Sequence, residues 1–305
     1  MISVIIPTNR IGGIDLLTES LGRQTYRDFE LILVDCIHEY RSRGKWAPGF
    51  EVARGAPWDN PFPRTCYCRA VNTGLARARG NIVLLSCDYS FFGPDCLATH
   101  AALQAKHNCP VMLDYDMAKP PMRVVTPFYG QKLPPEDPGY KAELAETTAR
   151  YVADLKSGKL DPYMWSIFKE PLTFDDVKAL EVEHKHRPCS IREHDDYNWC
   201  SFKNESLPIE VFERLNGLDE EYDKSHTYQD SEFSYRMRVA GITWMNGPPE
   251  TGMLTIVNPR RFLNVKEMAE PIEANRERCF GSRRAELGLP VNPGWSLKEA
   301  RACLA

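Results

Sequence analysis

Ser3-Val4-Ile5-Ile6-Pro7-Thr8-Asn9-Arg10 opens the chain, and Gln24-Thr25-Tyr26-Arg27-Asp28-Phe29-Glu30-Leu31-Ile32-Leu33-Val34-Asp35 follows it. Ile2–Pro7 and Phe29–Val34 have the apolar character that a strand buried on both faces requires. Between them Gly12-Gly13 marks a turn, and Ile14, Leu17 and Leu21 recur at helical spacing. Strand, helix and strand in that order imply a right-handed crossover and a parallel sheet. Ligands of open α/β sheets bind outside the carboxyl ends of the strands. Pro7, Thr8 and Asn9 at the end of the first strand and Asp35 at the end of the second are therefore expected on one crevice.

The same reading extends downstream. Phe50–Arg54 reads as a short strand, and Cys66–Arg79 as a helix stopped by Gly80 at its C′ position. Ile82–Leu85 reads as a buried strand, which brings Cys87-Asp88-Tyr89 to the crevice. Pro94 suits the first position of a helix running to about His107, and Val111–Leu113 is a further strand. Residues 117–197 lose the alternation. Tyr140–Lys156 and Thr173–Glu183 are the helical stretches there, the second opening on Thr173-Phe174-Asp175-Asp176, a capping box with Asp in the Glu position. Strand character returns at Asn198–Phe202, followed by a short helix over Pro208–Leu215. Gln229–Ala240 is a helix with Phe233, Met237 and Ala240 on one face. Ile242–Met245 and Met253–Val257 read as strands, and Val265–Leu287 as a mainly polar helix or helix pair.

Composition bounds the function classes. With 305 residues, 43% hydrophobic and 26% charged, the chain can build one large α/β domain and is not globally disordered. A net charge of −4 implies no general affinity for nucleic acid or anionic membrane. No apolar run is long enough to span a bilayer. The first strand begins at Ile2 with no room for an export signal before it, so a cytoplasmic protein with reduced thiols is expected from the ten cysteines. Cys66-Tyr67-Cys68 lacks zinc spacing and has no second pair.

Two further segments carry chemistry: Leu215-Asn216-Gly217-Leu218-Asp219-Glu220, and Tyr228-Gln229-Asp230-Ser231-Glu232-Phe233-Ser234-Tyr235-Arg236. Together with the opening strands they resemble the family 2 glycosyltransferases of GT-A fold, over roughly residues 2–110 and 198–258. The resemblance implies a Rossmann-like, mostly parallel mixed sheet flanked by helices. Residues 1–115 would form the nucleotide-sugar half, 116–197 a mostly helical insertion, 198–260 the half with acceptor and catalytic base, and 261–305 a C-terminal helical extension. It implies an inverting transferase of hexosyl type acting on a nucleoside-diphosphate sugar, by resemblance a UDP-sugar.

By resemblance, Asp35 binds the nucleobase, although an Asp at a strand end can also simply cap a loop. Pro7, Thr8, Asn9 and Arg10 line the donor site. Arg69 and Asn72 lie in Arg69-Ala70-Val71-Asn72-Thr73-Gly74, which looks like the family's helix before the metal strand. Arg69 either pairs with the diphosphate or is a structural arginine. The family's D-x-D is reduced here to Cys87-Asp88-Tyr89, so Asp88 alone would hold a Mn²⁺ or Mg²⁺ with the phosphates. Asn258 stands near the place of a late family histidine. Asp114-Tyr115-Asp116 is a rival D-x-D one βα unit too late, more simply a solvated strand end. Asp230 at a helix start is the expected general base, within reach of an acceptor hydroxyl, and Asn198, Trp199 and Gln229 face the acceptor. Trp199 either stacks on a sugar or packs in the core. The acceptor is a glycan or lipid-linked sugar, or, given the locally basic C-terminal part, a modified DNA base. The competing classes are a degenerate nucleotide- or glycan-binding protein and, last, a nucleotidyltransferase, which would normally show a Gly-rich phosphate loop.

Overall fold

The computed structural model describes residues 1–8, 14–35, 51–54, 67–118, 138–139, 142, 146, 182–186, 200–224, 227–248, 252–256, 265–281, 286–288 and 290–304. Their strands are β1 (Ile2–Thr8), β2 (Phe29–Asp35), β3 (Glu51–Arg54), β4 (Ile82–Leu85), β5 (Ser90–Phe92), β6 (Val111–Met112), β7 (Tyr115–Ala118), β8 (Val182–His186), β9 (Glu205–Pro208), β10 (Met245–Asn246) and β11 (Met253–Ile256). The helices are α1 (Ile14–Gly22), α2 (Tyr67–Arg77), α3 (Cys96–His107), α4 (Ile209–Leu215), α5 (Gln229–Val239), α6 (Val265–Arg276) and α7 (Leu297–Leu304).

The central sheet runs β10-β6-β9-β4-β1-β2-β3. Every pair is parallel except those made by β9, which runs against β4 and β6. The fold is therefore mixed α/β with a mostly parallel sheet, as expected. The strands alternate between two cores. Ile5, Val34, Val83 and Leu85 pack with Val71, Leu75, Phe212, Phe233 and Leu297. Val4, Ile6, Leu33 and Leu84 pack on the other face with Leu17, Leu21 and Leu97. Both faces are covered by helices, which is why the strands read as apolar runs rather than as alternation.

The register of β9 follows from a buried polar clamp. His100 of α3 contacts Ser206 Oγ through Nδ1 (2.8 Å) and Asn204 Oδ1 through Nε2 (3.1 Å). Gln104 Nε2 donates to Ser206 O at 2.9 Å. Burial pushes the His100 imidazole down to about 4, so it stays neutral. Because Asn204 Nδ2 donates to Asp114 O, its Oδ1 accepts, which assigns the proton of His100 to Nε2.

A second sheet, β5-β11-β7-β8, stands beside the first. Its outer strand β8 lies inside the stretch expected to be helical. Val182-Glu183-His184-Lys185-His186 has no apolar alternation, and its strand form comes from pairing with β7. The remaining expected helical positions of 117–197 lie almost wholly outside the described residues. At Asn198–Phe202 the strand starts later, at Glu205, because Ser201–Asn204 forms a bend in which Phe202 has φ 53°. Pro94 precedes the α3 N-cap Asp95 instead of starting the helix. Gly80 is not a left-handed helix stop. It lies where an added Cβ would come within 2.8 Å of Met1 O and Ser3 N, so it lets the chain turn closely against β1.

Gly74 is the sharpest packing constraint. A Cβ there would sit 2.5 Å from Ile5 Cγ2 and 3.2 Å from Val34 Cγ2. Ile5 is β-branched and fully buried, so its methyl cannot swing away. Alanine is favoured over glycine in a helix interior by about 1 kcal/mol, but the clash outweighs it. Gly74→Ala is expected to destabilise by about 1–3 kcal/mol, read from the urea midpoint.

Candidate functional site

The carboxyl ends of the parallel strands gather the polar residues. Thr8 ends β1, and its hydroxyl donates to Asp88 Oδ2 at 2.7 Å; both residues are buried. Asp35 ends β2 directly opposite Thr8, its side chain lying outside the described residues. Pro7 pairs with Val34 one step earlier in the strand. Thr8, Asp35 and Asp88 thus meet at one edge, as the strand ends required. Asn9, Arg10, Asn198, Trp199 and Asn258 lie outside the described residues.

From the opposite side comes the start of α5. Ser231 N donates to Asp230 Oδ1 at 2.8 Å, and Ser234 Oγ to Asp230 O at 2.8 Å. Burial raises the Asp230 carboxyl above its usual value, opposed by hydrogen bonds from Ser231 and from its own backbone and by the Lys203 charge. The residue two before it, Tyr228, has φ 64°, an unusual left-handed conformation for a bulky residue. Gln229 Oε1 is buried with no hydrogen-bond partner.

Tyr67 and Tyr115 connect the two sides. Burial raises both phenols above their usual value, with the nearby Glu205 carboxylate adding to the rise. The bend before β9 joins α5 to this edge: Cys200 N donates to Ser234 Oγ at 3.1 Å, and Phe202 packs on both Tyr67 and Phe233. Cys87 Sγ lies 3.1 Å from Ser90 Oγ.

Glu205 belongs to the same edge and escaped sequence reading. Since β9 is reversed, its first residue lies across from Leu85 and Met112, at the carboxyl ends of β4 and β6. Its carboxylate accepts from Ser201 N (2.7 Å), Ser201 Oγ (2.8 Å) and Phe202 N (2.5 Å). Burial pushes Glu205 up to about 7 against those donors, with Asp230 adding to the rise. An unfolded Glu releases its proton near 4.5, so between that pH and about 7 only the folded chain holds it. Stability from this residue is thus lost as pH rises through that window. In Glu205→Gln, which cannot ionise, this part of the decline is expected to vanish when chemical denaturation is compared at pH 5 and 8.

The helix expected to meet the diphosphate is engaged elsewhere. Cys68 N and Arg69 N at the head of α2 donate to Asp223 Oδ1 (2.7 Å) and Oδ2 (3.0 Å). Arg69 Nε pairs with Glu220 Oε2 at 3.4 Å. Asn72 is buried, donating to Leu218 O (2.9 Å) and accepting from Leu218 N (2.8 Å). The Asp223 carboxylate thus takes the place at the helix head where an anion would bind. Arg69 and Asn72 lock α2 to the Leu218-Asp219-Glu220 segment.

For a divalent cation, the described residues contain no group of three carboxylate, histidine or cysteine side chains able to hold it. Asp88 is one carboxylate with Thr8 on one of its oxygens. That set fits a cation carried largely by substrate phosphates and does not fit an all-protein cage. In the rival Asp114-Tyr115-Asp116 motif, the Asp114 carbonyl accepts from Asn204 Nδ2 and Met253 N, and the Asp116 side chain lies outside the described residues. Among the described residues no helix is long and apolar enough to cross a membrane.

No family model matches the chain, and no curated protein sequence does. Solved structures align with it at low identity. A mannosyltransferase, PcManGT from Pyrobaculum calidifontis in complex with GDP-Man and Mn²⁺, is 16% identical over 99% of this chain and 69% of its own, with a TM-score of 0.47. S. aureus TarS 1-349 in complex with UDP-GlcNAc is 14% identical over 100% of this chain and 70% of its own, TM-score 0.48. A further S. aureus TarS structure is 15% identical over 92% of this chain and 40% of its own, TM-score 0.46.

Proposed function

We propose that the chain is an inverting glycosyltransferase that moves a sugar from a nucleoside diphosphate, by its sequence resemblance a UDP-sugar, to an acceptor hydroxyl. The observation that carries this reading is the polar edge at the carboxyl ends of the strands, where Thr8 donates to Asp88 and Glu205 lies across from Leu85, joined to the head of α5 through Cys200 N on Ser234 Oγ and through Phe202 between Tyr67 and Phe233. The crevice end offers a place for an anionic donor beside Asp88 and Thr8. The α5 end offers a half-buried carboxylate of raised basicity for the acceptor. In this reading Asp230 takes the proton from the acceptor hydroxyl, whose oxygen attacks the anomeric carbon as the nucleoside diphosphate departs. Asp35 accepts hydrogen bonds from the nucleobase. A Mn²⁺ or Mg²⁺ at Asp88, when bound, supplies positive charge at the diphosphate. Gln229, next to the base with its carbonyl oxygen buried and unpartnered, faces the acceptor. Arg69 and Asn72 hold the second half of the site in place and do not contact the donor. The acceptor is a glycan or a lipid-linked sugar.

A binding protein without turnover is the second reading, favoured by the single carboxylate at Cys87-Asp88-Tyr89. Calorimetry of UDP, GDP, CDP and TDP, each with Mn²⁺ and with EDTA, tests the donor site. One diphosphate is expected to bind, and to lose affinity in EDTA and in Asp88→Ala. Absence of binding by all four overturns the transferase. Donor hydrolysis that stops in Asp230→Asn excludes the turnover-free reading.

A further inference from the structure

Asp88 and Glu205 lie at the carboxyl ends of the strands, and Asp230 acts on Glu205 from the head of α5. A donor diphosphate would add more negative charge, yet the head of α2 is closed by Asp223 and Arg69 is paired with Glu220. The edge needs a cation, and Lys203 is placed to be one. Its Nζ lies 4.7 Å from the centroid of the Tyr115 ring, and its charge acts on Asp230. Among the described residues Lys203 has no ion pair.

The backbone that presents it is held on both sides. Glu205 gathers Ser201 N and Phe202 N. Asn204, fully buried, donates to Asp114 O and accepts from His100, while Leu113 N donates to Asn204 O. Phe202, at φ 53°, stacks on Tyr67 at 6.0 Å between centroids. A flexible side chain is thus mounted on a hydrogen-bonded bend two residues before Glu205, which pairs with Leu85 at the carboxyl end of β4. A lysine kept for solubility would not need such a mount.

Resting on the transferase reading, we propose that Lys203 binds the diphosphate of the donor and neutralises it as it leaves, in a site whose metal carboxylates are reduced to one. An ammonium suits this role because it forms charge-assisted hydrogen bonds to phosphate oxygens as a point charge.

The test compares UDP, uridine and inorganic pyrophosphate by calorimetry on wild type, Lys203→Met and Lys203→Arg; if another diphosphate binds best, it and its nucleoside replace the uridine pair. Expected are a roughly 10- to 100-fold loss for UDP and pyrophosphate in Lys203→Met, unchanged uridine affinity, and substantial recovery in Lys203→Arg. The thermal midpoint of each variant reports on folding. UDP affinity unchanged in Lys203→Met, or an equal loss for UDP and uridine in a folded variant, overturns the role of Lys203 and leaves the transferase standing. Wild type that binds no nucleoside diphosphate overturns both.

Discussion

On the proposed transferase reading, Asp230→Asn is expected to lower sugar transfer by roughly 10²- to 10⁴-fold, the contribution of a positioned general base, while nucleoside-diphosphate affinity is expected to stay within a factor of about two, since one 1.4 kcal/mol step would already be tenfold. Asparagine keeps the shape and can still accept from Ser231 N, so the head of α5 is retained. What it loses is basicity. Burial raises the Asp230 carboxyl above its ordinary value, so the acid limb of kcat in wild type is expected above the pH at which an exposed aspartate titrates. That limb reports a group that must be ionised: activity falls as pH falls through its value. Initial rates with a radiolabelled donor over a pH series, with calorimetry on the same preparations, check both parts. Full activity in Asp230→Asn would remove the base from this site.

Arg236→Ala costs about 3–5 kcal/mol of stability, the usual consequence of removing one partner of a buried ion pair. Arg236 is 7% and Glu232 8% exposed. Their fork pairs Nε with Oε1 at 2.6 Å and Nη2 with Oε2 at 2.9 Å. The same guanidinium donates to Leu215 O (2.5 Å) and Gly217 O (3.0 Å). Alanine takes the guanidinium away from the buried Glu232 carboxylate and from the Leu215 and Gly217 carbonyls, and it unties α5 from the end of α4. The denaturant midpoint of Arg236→Ala measures the loss. In the double variant Arg236→Met, Glu232→Met, which buries no charge, most of the stability returns. Equal losses in the single and double variants would mean that the fork to Leu215 and Gly217 matters and the charge does not.

Much of the architecture was legible because local pattern and tertiary burial agree. Val4-Ile5-Ile6 and Leu31-Ile32-Leu33-Val34 have no alternative to a doubly covered sheet, and Phe233 and Met237 are fully buried, whereas Ala240, expected on the same face, is the cap that ends α5, and burial extends around the helix from Ser231 to Met237. Thr8, Asp35 and Asp88 could be placed on one edge because the first two end parallel strands and the third lies in the turn just after one. Glu205 could not. In the sequence it is one acidic residue among many, and only the antiparallel insertion of β9 carries it to that edge. Asn72 looked like part of a donor motif, but whether its amide met a ligand or Leu218 was decided by a segment far along the chain. Val182–His186 lacked any apolar signal because its strand form depends on a ladder with Tyr115–Ala118.

What this sequence determined by itself is the parallel α/β sheet and the short list of residues at its strand ends, because hydrophobic periodicity and strand termini are local properties of the chain. The tertiary structure alone decided which of those residues face one another. It turned Asp223 into the cap of a helix that begins at Tyr67, and it set Lys203 over the ring of Tyr115. Electrostatics and hydrogen bonding depend on distances between residues remote in sequence, and those distances come into being only when the sheet closes.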